Sequence, residues 1–152
     1  MSAPQNFQWT DAFLLGYGPM DDTHREFVDV VNGLLQCADD ELGWHLQAFI
    51  AHAEHHFGEE DTWMRDNDFP AADCHIKEHA AVMRSAHEVA AAVQTGNFAY
   101  ARAFAAELVR WFPGHADYLD SALAQWMAKR KYGGVPVVLK SKASLEQGFA
   151  QS

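Results

Sequence analysis

The sequence predicts an all-α protein: an antiparallel up-down-up-down four-helix bundle with an N-terminal arm and a C-terminal tail. Three observations predict it. Apolar residues recur at three- and four-residue spacing in four successive stretches, the mark of helices with one buried face. The breaks between the stretches are short, which sets consecutive helices side by side and antiparallel. The chain has 152 residues, 49% apolar and 21% charged. That suffices for one domain with a real core and is too apolar for disorder.

Residues 1–19 read as an irregular arm carrying Phe7, Trp9, Phe13, Leu14, Leu15 and Tyr17, too apolar to float free. Gly16, Gly18 and Pro19 break it, and Asp21 or Asp22 is expected to cap the first helix. The buried face of that helix is Phe27, Val28, Val31, Leu34 and Leu35. A second helix is expected from about Asp40 to Asn67, with Leu42, Leu46, Phe49, Ala53, Phe57 and Met64 inward. The run Asp66-Asn67-Asp68-Phe69-Pro70 stops it. A third runs from near Ala71 to Val93, with Val82, Ala86, Val89 and Val93 on one side, and ends at the turn Thr95-Gly96-Asn97. The fourth runs from near Phe98 to Lys131 through Phe104, Leu108, Trp111, Leu119 and Ala122, with a kink expected at Pro113-Gly114. The bundle thus takes residues 1–132. Residues 133–152 are an extension, not a second domain: Gly133-Gly134, a short apolar run from Val135 to Leu139, then a tail from Lys140 to Ser152. That tail docks on the bundle, on a partner, or on neither.

Charge and hydropathy exclude several functions. With 21 acids against 11 bases the net charge is −10, which argues against a nucleic-acid partner and against adhesion to an anionic membrane. No stretch approaches the roughly 18 uncharged apolar residues of a membrane span. Cys37 and Cys74 make no disulfide framework, and no basic-then-apolar leader is visible. The chain therefore reads as reduced and cytoplasmic.

Nine histidines in 152 residues is the unusual count. His24 precedes Phe27 and Val28 by three and four residues, on the apolar stripe. His56 follows Ala53 by three and Phe49 by seven, and Glu60 lies four further on, four before Met64. The helix phase thus chooses His56 over His55 and Glu60 over Glu59. His75 and His79 line up with Val82 and Ala86, and His115 with Leu108 and Trp111. Asp120 stands apart. Five residues of α-helix turn about 500°, leaving it roughly 140° from His115, so local distortion near Pro113 or a different reach must bring it in. His45, His52, His55 and His87 are expected to be solvated, and Cys74 to be a bystander beside His75.

A lone histidine on an apolar face is usually a core residue with one hydrogen bond. Five imidazoles and two carboxylates in one bundle, with no Lys or Arg on the same faces, are another matter. Each uncompensated buried carboxylate is costly, and a bound cation relieves all seven groups together. With both carboxylates bridging and one solvent oxygen shared, the set fills all but one position on two six-coordinate ions. Imidazole suits iron, copper, zinc and nickel, and mixed nitrogen and oxygen ligation favours iron among them. The open position suits a small diatomic ligand.

Met20-Asp21-Asp22-Thr23-His24, His56-Phe57-Gly58-Glu59-Glu60 with Met64, Phe69-Pro70 with His75 and His79, and Trp111 with His115 and Asp120 together resemble the hemerythrin family, specifically its single-domain bacterial members. The pieces occur in the family's order and spacing over roughly residues 9 to 125, a far stronger signal than any one His-x-x-x-His. The resemblance implies one iron held by His75, His79 and His115. A second, with the vacancy, would be held by His24 and His56. Glu60, Asp120 and a solvent-derived oxo or hydroxo group would bridge the two. It also implies Asp120 as the family's bridging aspartate despite its offset. The implied function is reversible binding of dioxygen for storage, delivery or sensing, not enzymatic turnover, with peroxidase or oxidase side activity left open. The alternative is a di-iron redox enzyme or scavenger acting on peroxide or nitric oxide. Against it, the Glu-x-x-His pair of carboxylate-rich di-iron oxidases occurs nowhere in the chain.

Phe27, Phe57, Trp111, Phe112 and Ala116 are the candidates for the wall of the oxygen pocket. Ala116 stands where the family usually has a branched aliphatic residue, implying a roomier wall. The implied partners are dioxygen and an oxygen-consuming enzyme, with the chain a monomer or weak oligomer.

Overall fold

The computed structural model describes residues 7–133. Five helices carry the fold: α1 (Gly18–Gln36), α2 (Leu42–Asp66), α3 (Ala72–Gln94), α4 (Phe98–His115) and α5 (Ser121–Tyr132). A five-residue π-helical turn, Ala116–Asp120, joins α4 to α5, so the two and the turn between them make the fourth rod of a four-helix bundle. Each rod packs on its sequence neighbours, and α1 also packs on α4, which closes the ring. The rods are antiparallel. Arg102, at the start of α4, donates to the carbonyl oxygens of Leu34 (3.2 Å) and Cys37 (2.8 Å) at the end of α1.

Where α1 meets α2, Gly33 faces the ring of His45, and a Cβ at Gly33 would stand 2.8 Å from His45 Nδ1. His45 is therefore half-buried in a slot that only glycine leaves open, not solvated as the sequence suggests.

The start of α1 differs from expectation. The helix begins at Gly18, with Tyr17 at the N-cap and Pro19 in the first turn. Proline is suited there because its fixed φ matches the helix and its missing N–H is an orphan donor anyway. Asp21 and Asp22 lie past the cap. Asp21 is buried instead, and its carboxylate accepts from the backbone N–H of Leu15 (2.9 Å) and Gly16 (3.1 Å), tying the arm to the helix. From Phe7 on, the arm is packed as its composition requires. Phe7 and Phe13 set their edges on Phe112, with ring centroids 5.9 and 5.1 Å away.

A short 3-10 turn, Asp39–Glu41, precedes α2. Asn97 caps α4 by accepting from Tyr100 N–H at 3.3 Å. The fourth rod passes through Pro113 as α-helix, and its departure from α geometry comes at Ala116–Asp120. The extra residue of that turn shifts the phase of all that follows. Leu119 is only half-buried and Ala122 is exposed, while Leu123, Ala124, Met127 and Ala128 face inward. Gly133, with φ 78°, closes α5 in the left-handed conformation. The C-terminal tail expected after it lies outside the described residues.

The core is layered. One cluster gathers Phe13, Phe27, Leu34, Leu46, Phe49, Phe104 and Phe112 with their neighbours. A smaller one holds Tyr17, Met20, Met64, Phe69, Leu123 and Met127. His24 lies between Met20 and Phe27 in sequence, His56 and Glu60 between Ala53 and Met64, and Asp120 between Phe112 and Leu123, so a polar layer separates the two apolar ones. Among the described residues, no helix is long and apolar enough to cross a membrane.

Candidate metal centre

That polar layer is assembled from all four rods. α1 contributes His24, α2 His56 and Glu60, α3 His75 and His79, α4 His115 and the π-turn Asp120. All seven side chains are buried. Their donor atoms fall into two overlapping groups able to hold a metal ion: Glu60, His75, His79, His115 and Asp120 in one, and His24, His56 and Glu60 in the other. Helix phase alone selects the six that come from regular helix. Asp120 arrives by the π-turn: i→i+5 bonding returns the fifth residue close to the face of His115, which an α-helix would not.

The carboxylates divide their oxygens between the two groups. Glu60 Oε2 lies 2.9 Å from His56 Nε2 and 3.5 Å from His24 Nε2, whereas Oε1 lies 3.2 Å from His79 Nε2 and 3.6 Å from His75 Nε2. Asp120 Oδ2 lies 3.1 Å from His24 Nε2, and Oδ1 lies 2.8 Å from His75 Nε2 and 3.3 Å from His115 Nε2. These are ion-pair distances, yet several of the atoms form no hydrogen bond. His24 Nε2, His79 Nε2, Glu60 Oε1 and both oxygens of Asp120 are buried without a hydrogen-bond partner. Those five atoms point at shared space, not along one another's N–H bonds, while His56 Nε2 does bond Glu60 Oε2 at 2.9 Å. Unpartnered buried polar atoms cost about 1–3 kcal/mol each. A cation accepting from all of them removes that cost, so the donor set fits a metal pair. Every donor is nitrogen or oxygen. Cys37 is half-buried and Cys74 exposed, and neither belongs to the two groups.

Without metal, the layer balances charge internally. Burial, the largest influence on His24, lowers its pKa, but the carboxylates of Asp120 and Glu60 beside it outweigh burial and raise the group to about 10. His75 reaches about 9 by the same contest between burial and the two carboxylates. His79 is raised as well, with Asp61 and Glu60 overcoming burial. Burial presses Glu60 and Asp120 upward, yet the surrounding imidazoles hold both well below the usual carboxylate range.

Around the donors stands a ring of partners that sequence reasoning missed. His79 Nδ1 bonds Asp61 Oδ1 at 2.7 Å. His115 Nδ1 and the Trp111 indole N–H both bond Glu78 Oε1 at 2.9 Å. His56 Nδ1 meets His52 Nε2 at 3.1 Å. His52 is thus not solvated, contrary to expectation: its side chain is 8% exposed. Its position four residues before His56, on the same helical face, was the available signal. Glu78 reaches His115 across two helices and left no local trace. Burial dominates at His52 and lowers it to about 4. His55 and His87 are exposed as expected.

Four of the five residues expected to wall a pocket lie against these imidazoles. Phe112 sets its ring 5.2 Å from His24, and Phe27 lies 5.9 Å from His56 and stacks on Phe112 at 4.9 Å. Phe57 stacks on His79 at 4.1 Å, and Trp111 on His115 at 4.2 Å. Ala116 is buried in the same cluster. Trp111 is half-buried and, with Glu78, also lines an open, mostly apolar cleft of about 380 Å³ between α3 and α4.

A family model described as "Hemerythrin HHE cation binding domain" matches residues 15–127. The chain is 37% identical over 123 residues to a protein of Ralstonia nicotianae named "Bacteriohemerythrin", covering 81% of this chain and 90% of that one. No solved structure matches.

Proposed function

The chain belongs to the hemerythrin family, with a family-type cluster of histidines and carboxylates able to bind metal, and from that premise we propose that it binds dioxygen reversibly at a non-haem di-iron centre. His75, His79 and His115 would hold one iron, and His24 and His56 the other. Glu60 and Asp120, whose oxygens face both histidine groups, would be shared between the two ions. The observation that carries the reading is the division of each carboxylate, one oxygen toward each histidine group. When bound, the iron pair supplies the electrons that reversible dioxygen binding draws on; the chain supplies ligands and surroundings.

Glu60 and Asp120 offset the charge of the ions in a layer that offers no other anion within the two donor groups. Asp61 and Glu78 accept from His79 and His115 and hold those rings in the tautomer that leaves Nε2 free to ligate. Phe27 and Phe112 press on His56 and His24 and would keep water from an ion held there. Phe57, Trp111 and Ala116 complete the wall, and the small Ala116 leaves it roomy. The physiological use is storage, delivery or sensing, and the chain acts as a binding protein, not an enzyme. Metal analysis with visible spectra of the reduced, oxygenated and oxidised protein tests this. Two irons per chain and a spectrum that cycles with oxygen and argon are expected. Zinc in place of iron, or oxidation that argon does not reverse, would overturn it.

A further inference from the structure

Resting on the di-iron reading above, we propose that His52 is a positioning residue: it accepts a hydrogen bond from the outer nitrogen of His56 and so fixes the orientation and tautomer in which His56 holds its metal ion. His56 turns Nε2 to Glu60 Oε2 at 2.9 Å and Nδ1 to His52 Nε2 at 3.1 Å. An imidazole nitrogen that ligates carries no proton, so the proton of His56 then sits on Nδ1. His52 Nε2 is the acceptor, and the His52 proton sits on Nδ1, 3.8 Å from Glu26 Oε2 on α1. The ring of His52 is held by packing as well, with the ring of Phe27 6.2 Å away.

The outer partners of the other ligands show what is particular here. His79 and His115 are oriented by carboxylates, Asp61 and Glu78. Among the described residues, the Nδ1 atoms of His24 and His75 have no hydrogen-bond partner. The His24–His56 side is therefore oriented through His52 alone, and by an acceptor that brings no formal charge. A carboxylate pushes electron density into the imidazole it orients, whereas a neutral acceptor orients it without that push.

Three variants test the role. His52→Gln keeps an acceptor at comparable reach. His52→Leu removes it, and His52→Asn, with an amide that stops short of His56, reads the same loss should the leucine variant not fold. Each protein is titrated without oxygen with iron(II) and, separately, cobalt(II). The wild type is expected to take two ions. His52→Leu or His52→Asn should bind one of them about 10- to 100-fold more weakly with the other unchanged, and His52→Gln should stay within a few-fold of wild type. In the cobalt protein, a slowly exchanging, paramagnetically shifted His56 N–H resonance is expected in wild type and His52→Gln and should be lost in the other two. A purely structural role would instead lower the melting midpoints of metal-free and loaded protein alike and leave both binding constants in place. Two unchanged constants in His52→Leu, with the resonance retained, overturn the role of His52. A wild type that binds no ion pair overturns the di-iron reading instead.

Discussion

At the scale of single residues, neighbours in sequence have opposite fates. His55 and His56 are adjacent, yet the His55 side chain is 71% exposed while His56 is buried against Glu60. The difference is helical phase, about 100° per residue. His56→Ala removes a partner from a buried carboxylate, and the metal-free protein should lose about 1–3 kcal/mol. The variant should also fail to retain the ion on the His24 side. His55→Ala should stay within about 0.5 kcal/mol and keep both ions. Urea unfolding with metal analysis of both variants checks the pair, and equal effects would contradict the assigned face. Phase also governs His52, whose i, i+4 relation to His56 puts it inside the layer although its neighbourhood in sequence is polar.

At the scale of elements, the π-turn Ala116–Asp120 decides whether the site closes. It lets Asp120 share a face with His115 and rotates α5 so that Leu123, Ala124 and Met127 meet the smaller core cluster. Tyr118, 78% exposed, gives the turn length without contributing to the core. Deleting Tyr118 converts the turn to regular helix, and either Asp120 or the apolar face of α5 must then leave its place. Metal content is expected to fall below two ions per chain and the melting midpoint to drop, with far-UV helicity nearly unchanged. Retention of both ions at the original midpoint would show that the turn is dispensable. π-turns inserted in α-helices often mark functional positions, and here the mechanical reason is visible.

At the scale of the whole molecule, two apolar clusters enclose a layer of charge, and the layer's protonation couples to folding. The sign follows from the shifted groups. His24 and His75 are raised to about 10 and about 9, so their contribution is complete below their ordinary value near 6.5 and is lost as pH climbs through 9 to 10. Glu60 and Asp120 are lowered, so theirs holds above the ordinary carboxylate range and fades as pH falls. His52, lowered to about 4, also contributes above 6.5 and loses that as pH falls toward 4. The metal-free protein should therefore be most stable near pH 6 to 7 and melt progressively lower from there to pH 10. The metal-loaded protein, whose ligand imidazoles have already given up their protons, should lack that alkaline decline, and loading at pH 7 should release protons. Calorimetry of both forms across pH, with proton release followed during titration, checks this. An alkaline decline of equal size in the loaded protein would contradict it.

The sequence by itself determined the helices, their antiparallel order, the inward face of each as far as His115, and six of the seven histidines and carboxylates that lie together in the buried polar layer, because all of these follow from a 3.6-residue period and short connections. The same period placed Leu119 and Ala122 inward and left Asp120 far from His115, since nothing local announces one extra residue in a helical turn. Only the tertiary structure decided that turn, the slot Gly33 leaves for His45, the use of Asp21 to fasten the arm, and the partners Asp61, Glu78 and His52. The Gly33 slot and the partners Asp61 and Glu78 depend on contacts between different helices. Periodicity tells which way a side chain faces on its own rod, and only packing the rods together tells what it meets there.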